Sequence, residues 1–323
     1  MAFANPSYSD VLATTIERRS PKVADNVKRN NAILFKLDKK GKARRPFSGG
    51  ALILEELAFA ENGNFGWYSG YDLLPVAAQD VITAAQFPIK QAACPVMVSG
   101  LEKLQNASRE KMIDLVEARM QVAETTMRNN MCAALYSDGT GYGGKQLTGL
   151  AAAIPPTPTT GTYGGIDRAA WPFWRPQVVS AAGYTSATIQ GYLNTLWLSL
   201  QRGTDQPDLC VADQLVFGAY LASLQALQRF TQAETGDLGF PTLKYMTMDM
   251  VLDGGIGGFA PANSAWMVNT EYLHFRPHEE RDFVPLSPNR RVSINQDAEV
   301  EILAWAGNLT VSNSIVQGFF KGY

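Results

Sequence analysis

The first 136 residues constrain this chain most, because they offer little that could fold back on itself. A basic arm from Arg18 to Arg45 runs into a long extended stretch, Pro46 to Val98. One amphipathic helix follows, predicted from about Ser108 to Tyr136. The arm and the extended stretch hold few compact apolar runs. Segments of that kind usually find their core on a neighbour, so the pattern predicts a subunit built to assemble.

At 323 residues the chain can hold one large domain or two medium ones. Apolar residues make up 46%, enough for a sizeable core. Charged residues make up 18%, below the roughly 25% usual for soluble domains, which suggests that partners cover part of the surface. No apolar run reaches the roughly 18 residues of a membrane helix. The opening residues MAFANPSYSD lack the basic and apolar regions of a signal peptide. The expectation is a protein made and kept in a cytosol, with no membrane contact. Cys94, Cys132 and Cys210 are far apart and sit among apolar neighbours, which predicts buried free thiols and neither a disulfide nor a zinc site.

Net charge is −2 but uneven. Between Arg18 and Arg45 there are eleven cations and two anions, Asp25 and Asp38. A basic arm on an acidic body predicts contact with a polyanion or with acidic sister subunits, against the plain alternative of a solvated helix face.

Ser20-Pro21 reads as a helix start and Gly41 as its stop. Leu52–Leu54, Phe65–Tyr71 and Val81–Ile89 are strand-like runs separated by Gly and Asn, and Asn62-Gly63-Asn64 is a turn signal. Together they predict a long curved β-hairpin. Ser99-x-x-Glu102 is a capping box. Met112, Leu115, Val116, Val122, Ala123, Met127, Met131 and Leu135 then recur at helical spacing. A Gly- and Pro-rich connection leads to a second module. There the pattern predicts a helix over Thr185–Leu200, a buried strand Asp208–Ala212 and a helix Gln214–Arg229 capped by Asp213. Strands Lys244–Leu252 and Trp266–Asn269 flank a glycine loop, Gly254 to Gly258. From Arg291 onward the apolar residues alternate with strand periodicity.

Chemistry-bearing patterns are weak. The two histidines, His274 and His278, share one segment, but Pro277 breaks the helix that would let them share a metal. Gly139–Gln146 nearly matches a phosphate loop, yet Gln146 replaces the magnesium-binding hydroxyl and the loop follows a helix. Gly254–Gly258 resembles a dinucleotide loop in composition alone. No Gly-x-Ser-x-Gly elbow is present. The expectation is no catalytic, metal or cofactor-binding residue, and not an enzyme.

The order of elements, with Val98-Ser-Gly-Leu-Glu102, Leu135-Tyr-Ser-Asp-Gly-Thr140, Gly149-Leu150, Gly165-Ile-Asp-Arg-Ala-Ala-Trp171, Asn269-Thr-Glu-Tyr-Leu273 and Arg276-Pro-His-Glu-Glu280, resembles the major capsid proteins of tailed bacteriophages with the Hong Kong 97 fold. That resemblance implies an α+β fold with an N-arm (1–45) and an E-loop hairpin (46–98). A peripheral domain with the spine helix (99–150) would be completed by C-terminal strands (286–323), around an axial domain (151–285). It implies a subunit that tiles as hexamers and pentamers into an icosahedral virion shell around double-stranded DNA, assembled in the bacterial host cytoplasm. The E-loop would bury Phe65, Trp67, Tyr68 and Tyr71 on a neighbour. Arg18, Arg19, Lys22, Lys28, Arg29, Lys39, Lys40, Arg44 and Arg45 would make the N-arm contacts, including non-specific ones to packaged DNA. Gly254, Gly255, Gly257 and Gly258 would form the axial tip. Because the arm starts at the first Met, a separately encoded scaffolding protein is expected, with a portal and a possible cement or decoration protein as further partners. Lys90 and several Asn are available for isopeptide crosslinks, but none is predicted. Three other classes stay open: an encapsulin-like bacterial compartment, a soluble hydrolase using His274 or His278, and a nucleic-acid-binding protein using the arm.

Overall fold

The computed structural model describes residues 32–39, 43–105, 115–226, 242–255, 258–286, 291–292 and 297–322. In chain order the first elements are α1 (Ala32–Lys39), the hairpin strands β1 (Leu52–Ala58) and β2 (Ile82–Pro88), β3 (Lys90–Ser99), α2 (Gly100–Gln105) and the long α3 (Leu115–Ala134). A short α4 (Leu150–Ala153) and the two-residue strands β4 (Thr162–Tyr163) and β5 (Ile166–Asp167) lead to the second module. It contains β6 (Gln177–Ala181), α5 (Ile189–Ser199), β7 (Leu209–Ala212), α6 (Gln214–Ala226), β8 (Thr242–Tyr245), β9 (Met248–Leu252) and β10 (Ser264–Val268). The remaining strands are β11 (Leu273–Pro277), β12 (Val284–Pro285), β13 (Arg291–Val292), β14 (Ala298–Val311) and β15 (Gly318–Gly322).

One sheet is organised by β14. On one side β3 pairs antiparallel with it from Ala298↔Ser99 to Gly307↔Lys90. On the other side lie β11, β12 and β13. Phe275 on β11 stacks against Trp305 on β14, ring centroids 5.5 Å apart. The hairpin base leans on this core through Ile53, Leu57, Ala85 and Phe87, all buried. Inward residues alternate with exposed ones along β1, as a half-buried strand requires.

The second sheet has strand order β6-β15-β10-β7-β9-β8. Its central strand β7 is buried at all four positions, which accounts for the continuous apolar run Leu209–Ala212. β7 and β9 are parallel, so the chain crosses between them through α6. A core of Ile189, Leu193, Leu196, Val216, Met250 and Phe320 lies under α5 and α6.

Buried polar groups tie the parts together. Asn308 on β14 has no exposed surface; its Oδ1 accepts from the Thr148 amide (3.0 Å) and its Nδ2 donates to the Pro88 carbonyl (2.9 Å). Glu55 on β1 accepts from Thr310 Oγ1 (2.8 Å) and pairs with Arg276 (3.1 Å). Gly149 lets the chain pass α3 closely, since a Cβ there would lie 2.4 Å from the Ala134 carbonyl oxygen.

Several expectations are corrected. Phe65–Tyr71 forms no strand: Gly66 and Gly70 interrupt it, and nothing opposite pairs with it. β3, read as the end of the hairpin, pairs instead with β14, because the chain turns after Pro88. Lys244–Leu252 is two strands, broken where Met246 takes φ 51°. β11 and β12, read as part of the second module, join the β14 sheet. The final strand does not return to the first module: β15 inserts between β6 and β10, where Phe320 is fully buried. Val122, placed on the apolar face of the long helix, is half exposed, while Ala123, Met127, Met131 and Leu135 are buried. Of the helix expected over Ser20–Gly41, only Ala32–Lys39 falls within the described residues, and residues 106–114 of the expected long helix lie outside them.

Asn308→Ala leaves the Thr148 amide and the Pro88 carbonyl unpaired in the core. It should cost about 2–4 kcal/mol, read as a lowered urea midpoint of the unassembled subunit with its far-ultraviolet circular dichroism unchanged.

Candidate assembly surfaces

The hairpin is anchored at its base and bare at its tip. At the base, Phe87 meets Tyr163 edge-on (5.2 Å) and Phe59 meets Trp171 (5.4 Å). Beyond the base, Phe65, Trp67, Tyr68 and Tyr71 are all exposed, Trp67 to 94%. Leu73 (98%) and Val76 (91%) are equally bare, with Leu74 and Ile82 beside them. Sequence reasoning stopped at Tyr71 and missed this second half. Its signal in the sequence is the run Leu73-Leu74-Pro75-Val76, four residues interrupted by a proline and shorter than the runs that mark a strand. Local bonds shape the tip: the Asn64 amide donates to Asn62 Oδ1 (2.9 Å), Asn64 Nδ2 to the Ala77 carbonyl, and the Ser69 amide to Asp72 Oδ2 (2.9 Å). Phe65 and Trp67 touch edge-to-face at 5.7 Å. Covering each such side chain contributes about 1.5–3 kcal/mol, and among the described residues nothing covers them.

The arm behaves differently from expectation at its described end. Ile33, Leu37, Ala43 and Phe47 are buried in the chain's own core. Lys36 donates to the Asp208 carbonyl (2.9 Å) and lies 3.8 Å from the Asp249 carboxylate, pinning α1 to the second module. Arg44 pairs with Asp282. The Arg45 amide donates to the Phe275 carbonyl, and the residue is exposed. Amphipathic spacing of Ile33 and Leu37 explains why this part docks on its own body: the two stand one helical turn apart. Lys39 ends α1, and nothing is described of its side chain; Arg18, Arg19, Lys22, Lys28, Arg29 and Lys40 lie outside the described residues.

The glycine loop is folded tightly. A Cβ on Gly254 would stand 2.5 Å from the Gln214 amide at the start of α6, and one on Gly258 would strike the Asp253–Gly254 peptide. Gly255 has φ 75°. Two aspartates hold the loop. Asp213 accepts from the Leu215 and Asn263 amides (3.3 and 3.0 Å). Asp253, buried, accepts from the Tyr136 hydroxyl at the end of the long helix, and burial raises its carboxyl above the usual range. Gly257 lies outside the described residues.

Between hairpin and long helix the capping box forms as expected. The Ser99 amide donates to Glu102 (3.0 Å) and the Glu102 amide to Ser99 Oγ (3.3 Å). Arg119 on α3 clamps the same carboxylate with two bonds (3.0 and 2.9 Å) and also donates to the Met97 carbonyl (2.9 Å). This guanidinium holds the Glu102 carboxyl down at about 2.

No family model matches the chain, and no curated protein sequence matches it. Solved structures do. The capsid asymmetric unit of cyanophage A-1(L) superposes with TM-score 0.67 over 95% of this chain and 96% of that one, at 16% identity. The capsid of a native GTA particle gives 0.65 over 96% of both chains at 15% identity. This chain has the Hong Kong 97-type capsid fold. The holo-encapsulin complex of Synechococcus elongatus PCC 7942 gives 0.57 over 97% of this chain and 95% of that one, at 8% identity.

The two histidines sit apart on this fold. His274 lies within β11, 1% exposed, its Nε2 3.3 Å from Ser312 Oγ and its Nδ1 without a hydrogen-bond partner. A serine hydrolase needs a carboxylate at that second nitrogen to orient the ring. Burial and the nearby Arg45 and Arg276 lower the His274 pKa to about 4. His278 packs edge-on against Phe47 (5.1 Å), and its Nδ1 accepts from the Glu280 amide (3.1 Å). Four residues along a strand separate the two rings by about 13 Å. Among the described residues no cluster of three His, Cys, Asp or Glu groups is placed to hold a metal, and no helix is long and apolar enough to cross a membrane.

Because the folded pKa of Glu102 is depressed, its contribution to stability is full above the unfolded value of about 4.3 and is lost as pH falls toward 2. Arg119→Met should therefore be less stable than the parent at neutral pH. The gap between their urea midpoints should close as pH is lowered from 5 toward 2.

Proposed function

We propose that this chain is a major capsid protein of a tailed bacteriophage, tiling as hexamers and pentamers into an icosahedral shell around double-stranded DNA. The carrying observation is the E-loop: a hairpin with a buried base and a tip whose aromatic and aliphatic side chains are bare in the single chain. A two-stranded hairpin is marginal in water by itself, and an exposed apolar patch of this kind marks an interaction site. A neighbouring copy supplies the missing cover. The fold likeness to phage capsids over nearly the whole chain supports the same reading. In this scheme the glycine loop faces the capsomer centre and the basic arm faces the packaged DNA or a sister subunit. A separate scaffolding protein, a portal and a decoration protein complete the set of partners. The role is structural, with the virion capsid as its location and the host cytoplasm as its place of assembly.

The encapsulin likeness favours one second reading, a bacterial compartment of the same fold enclosing protein cargo. Nuclease-protected DNA within shells isolated from their natural source supports the phage reading; cargo protein in its place supports the compartment.

Electron microscopy of the purified protein, with and without its scaffold, tests the proposal. Shells, tubes or capsomer rings are expected; a stable monomer under all conditions would sink it. Trp67→Ala combined with Leu73→Ala should leave the melting temperature of the unassembled subunit nearly unchanged, because both side chains are bare there, yet sharply reduce the yield of shells.

A further inference from the structure

Three places in the chain put an Asn or Asp directly before a glycine: Asn62-Gly63, Asp138-Gly139 and Asp253-Gly254. At such a pair the main-chain nitrogen of the glycine can attack the side-chain carbonyl carbon, because no Cβ on the glycine hinders the approach. The structure separates the three. At Asp138 the glycine amide is occupied: Gly139 donates to Ser137 Oγ (3.2 Å). The Asp138 carboxylate accepts from the Thr140 amide (3.0 Å) and the Thr140 hydroxyl (2.7 Å). Those bonds hold its carboxyl below the usual range, so it stays ionised and is a poor electrophile. At Asp253 the carboxyl is buried and held by the Tyr136 hydroxyl and the Phe259 amide, away from water.

Asn62 differs on each count. It is exposed, just beyond the paired part of the hairpin. Its carboxamide is neutral. Among the described residues no hydrogen bond occupies the Gly63 N–H. The Asn62 side chain is folded forward over that peptide, with Oδ1 accepting from the Asn64 amide at 2.9 Å in an Asx turn. The Phe65 amide closes the same turn on the Asn62 carbonyl (3.4 Å), and Asn64 Nδ2 ties it to the Ala77 carbonyl on the opposite limb. The turn is therefore held in one shape. A donor aimed at Oδ1 also steadies the negative charge that gathers there when the carbonyl carbon is attacked.

We propose that Asn62 is a site of spontaneous deamidation, closed to a succinimide by the Gly63 nitrogen with the Asn64 amide stabilising the oxyanion. The nitrogen bonds to Cγ, the Cγ–Nδ2 bond breaks, and Nδ2 leaves as ammonia, which carries off the Gly63 amide proton. Water then opens the ring. Opening at Cγ leaves aspartate at position 62. Opening at the main-chain carbonyl leaves isoaspartate, whose backbone runs through the former side chain and is one methylene longer. Either product puts a carboxylate in the turn that leads into Phe65 and Trp67. A partner that covers this tip must then desolvate a charge. The site is exposed in the single chain, so it does not depend on the shell reading.

The unassembled full-length subunit tests this. Hydroxylamine cuts a chain at a succinimide, so subunit aged at fixed pH and temperature should yield fragments 1–62 and 63–323. Peptide mapping should find aspartate and isoaspartate at position 62, with Asp138-Gly139 unchanged. Gly63→Ala should keep the turn, because Gly63 lies outside the left-handed region and a Cβ there meets nothing closer than Gln79 Oε1 at 3.4 Å. This variant should lose Asn62 several-fold more slowly than the parent. The contribution of the fold is read against the same chain in urea: the folded subunit should convert Asn62 at least as fast. An Asn62 that persists intact, or that converts equally fast in the parent and in Gly63→Ala, overturns the proposal. Conversion several-fold slower in the folded subunit than in urea also overturns it, because the turn then opposes the attack.

Discussion

The backbone of β14 finds its partners in four separate stretches of chain: residues 90–99, 273–277, 284–285 and 291–292. The first module is hung on that ladder. β3 leads from the hairpin at one end to the capped turn before the long helix at the other. β11 carries the Arg44–Phe47 segment alongside it, fixing where the arm leaves the body. The buried Asn308 and Thr310 sit in the same strand and fasten the connection after the long helix and the hairpin base to it. Removing one of those polar anchors therefore reaches several elements at once, whereas a change at the bare tip reaches none of them. β3 and β14 stand about 200 residues apart in the chain, so this ladder closes late and slowly.

Legibility from sequence followed the range of the interactions. Local rules were easily read: Ser99 and Glu102 form the predicted reciprocal cap, Asp213 caps α6, and the buried run Leu209–Ala212 is a central strand. Long-range pairing was not. Nothing in Lys90–Ser99 says that its partner is β14 and not β2, because both choices satisfy the same alternation. The destination of Gly318–Gly322 was equally hidden, since Phe319 and Phe320 fit either core. At the candidate surface the aromatic half of the tip was visible as a cluster, while Leu73 and Val76 were masked by the proline between them. Lys36 counts as one cation of the arm, but its pairing was hidden because its partners Asp208 and Asp249 are far away in sequence. The overall architecture was read from the order of elements rather than from any single motif.

The chain separates two kinds of surface. Within each module, apolar groups are buried and most polar groups there are bonded, so the body is defined before any neighbour arrives. The hairpin tip has local turns and one aromatic pair but, among the described residues, no core. Its conformational entropy is given up only on contact. The Arg119–Glu102 clamp sits where the rigid part ends, joining the strand that leaves the hairpin to the long helix that crosses the body. Its position suits it to fix the angle at which the hairpin projects.

The placement of β15 carries a consequence for biosynthesis. Its five residues lie in the interior of the second sheet, parallel to β6 and antiparallel to β10, and both of those strands are made earlier. A nascent chain halted anywhere before Gly318 holds a sheet with a gap through its middle and an α5 packed over an empty row. Among the described residues the register of β6 is set by its pairing with β15. Ribosomes that stall or messages that end before Gly318 thus yield chains that lack a strand from the middle of the second sheet. Closure of this sheet therefore waits for nearly the last residues of the chain to be made.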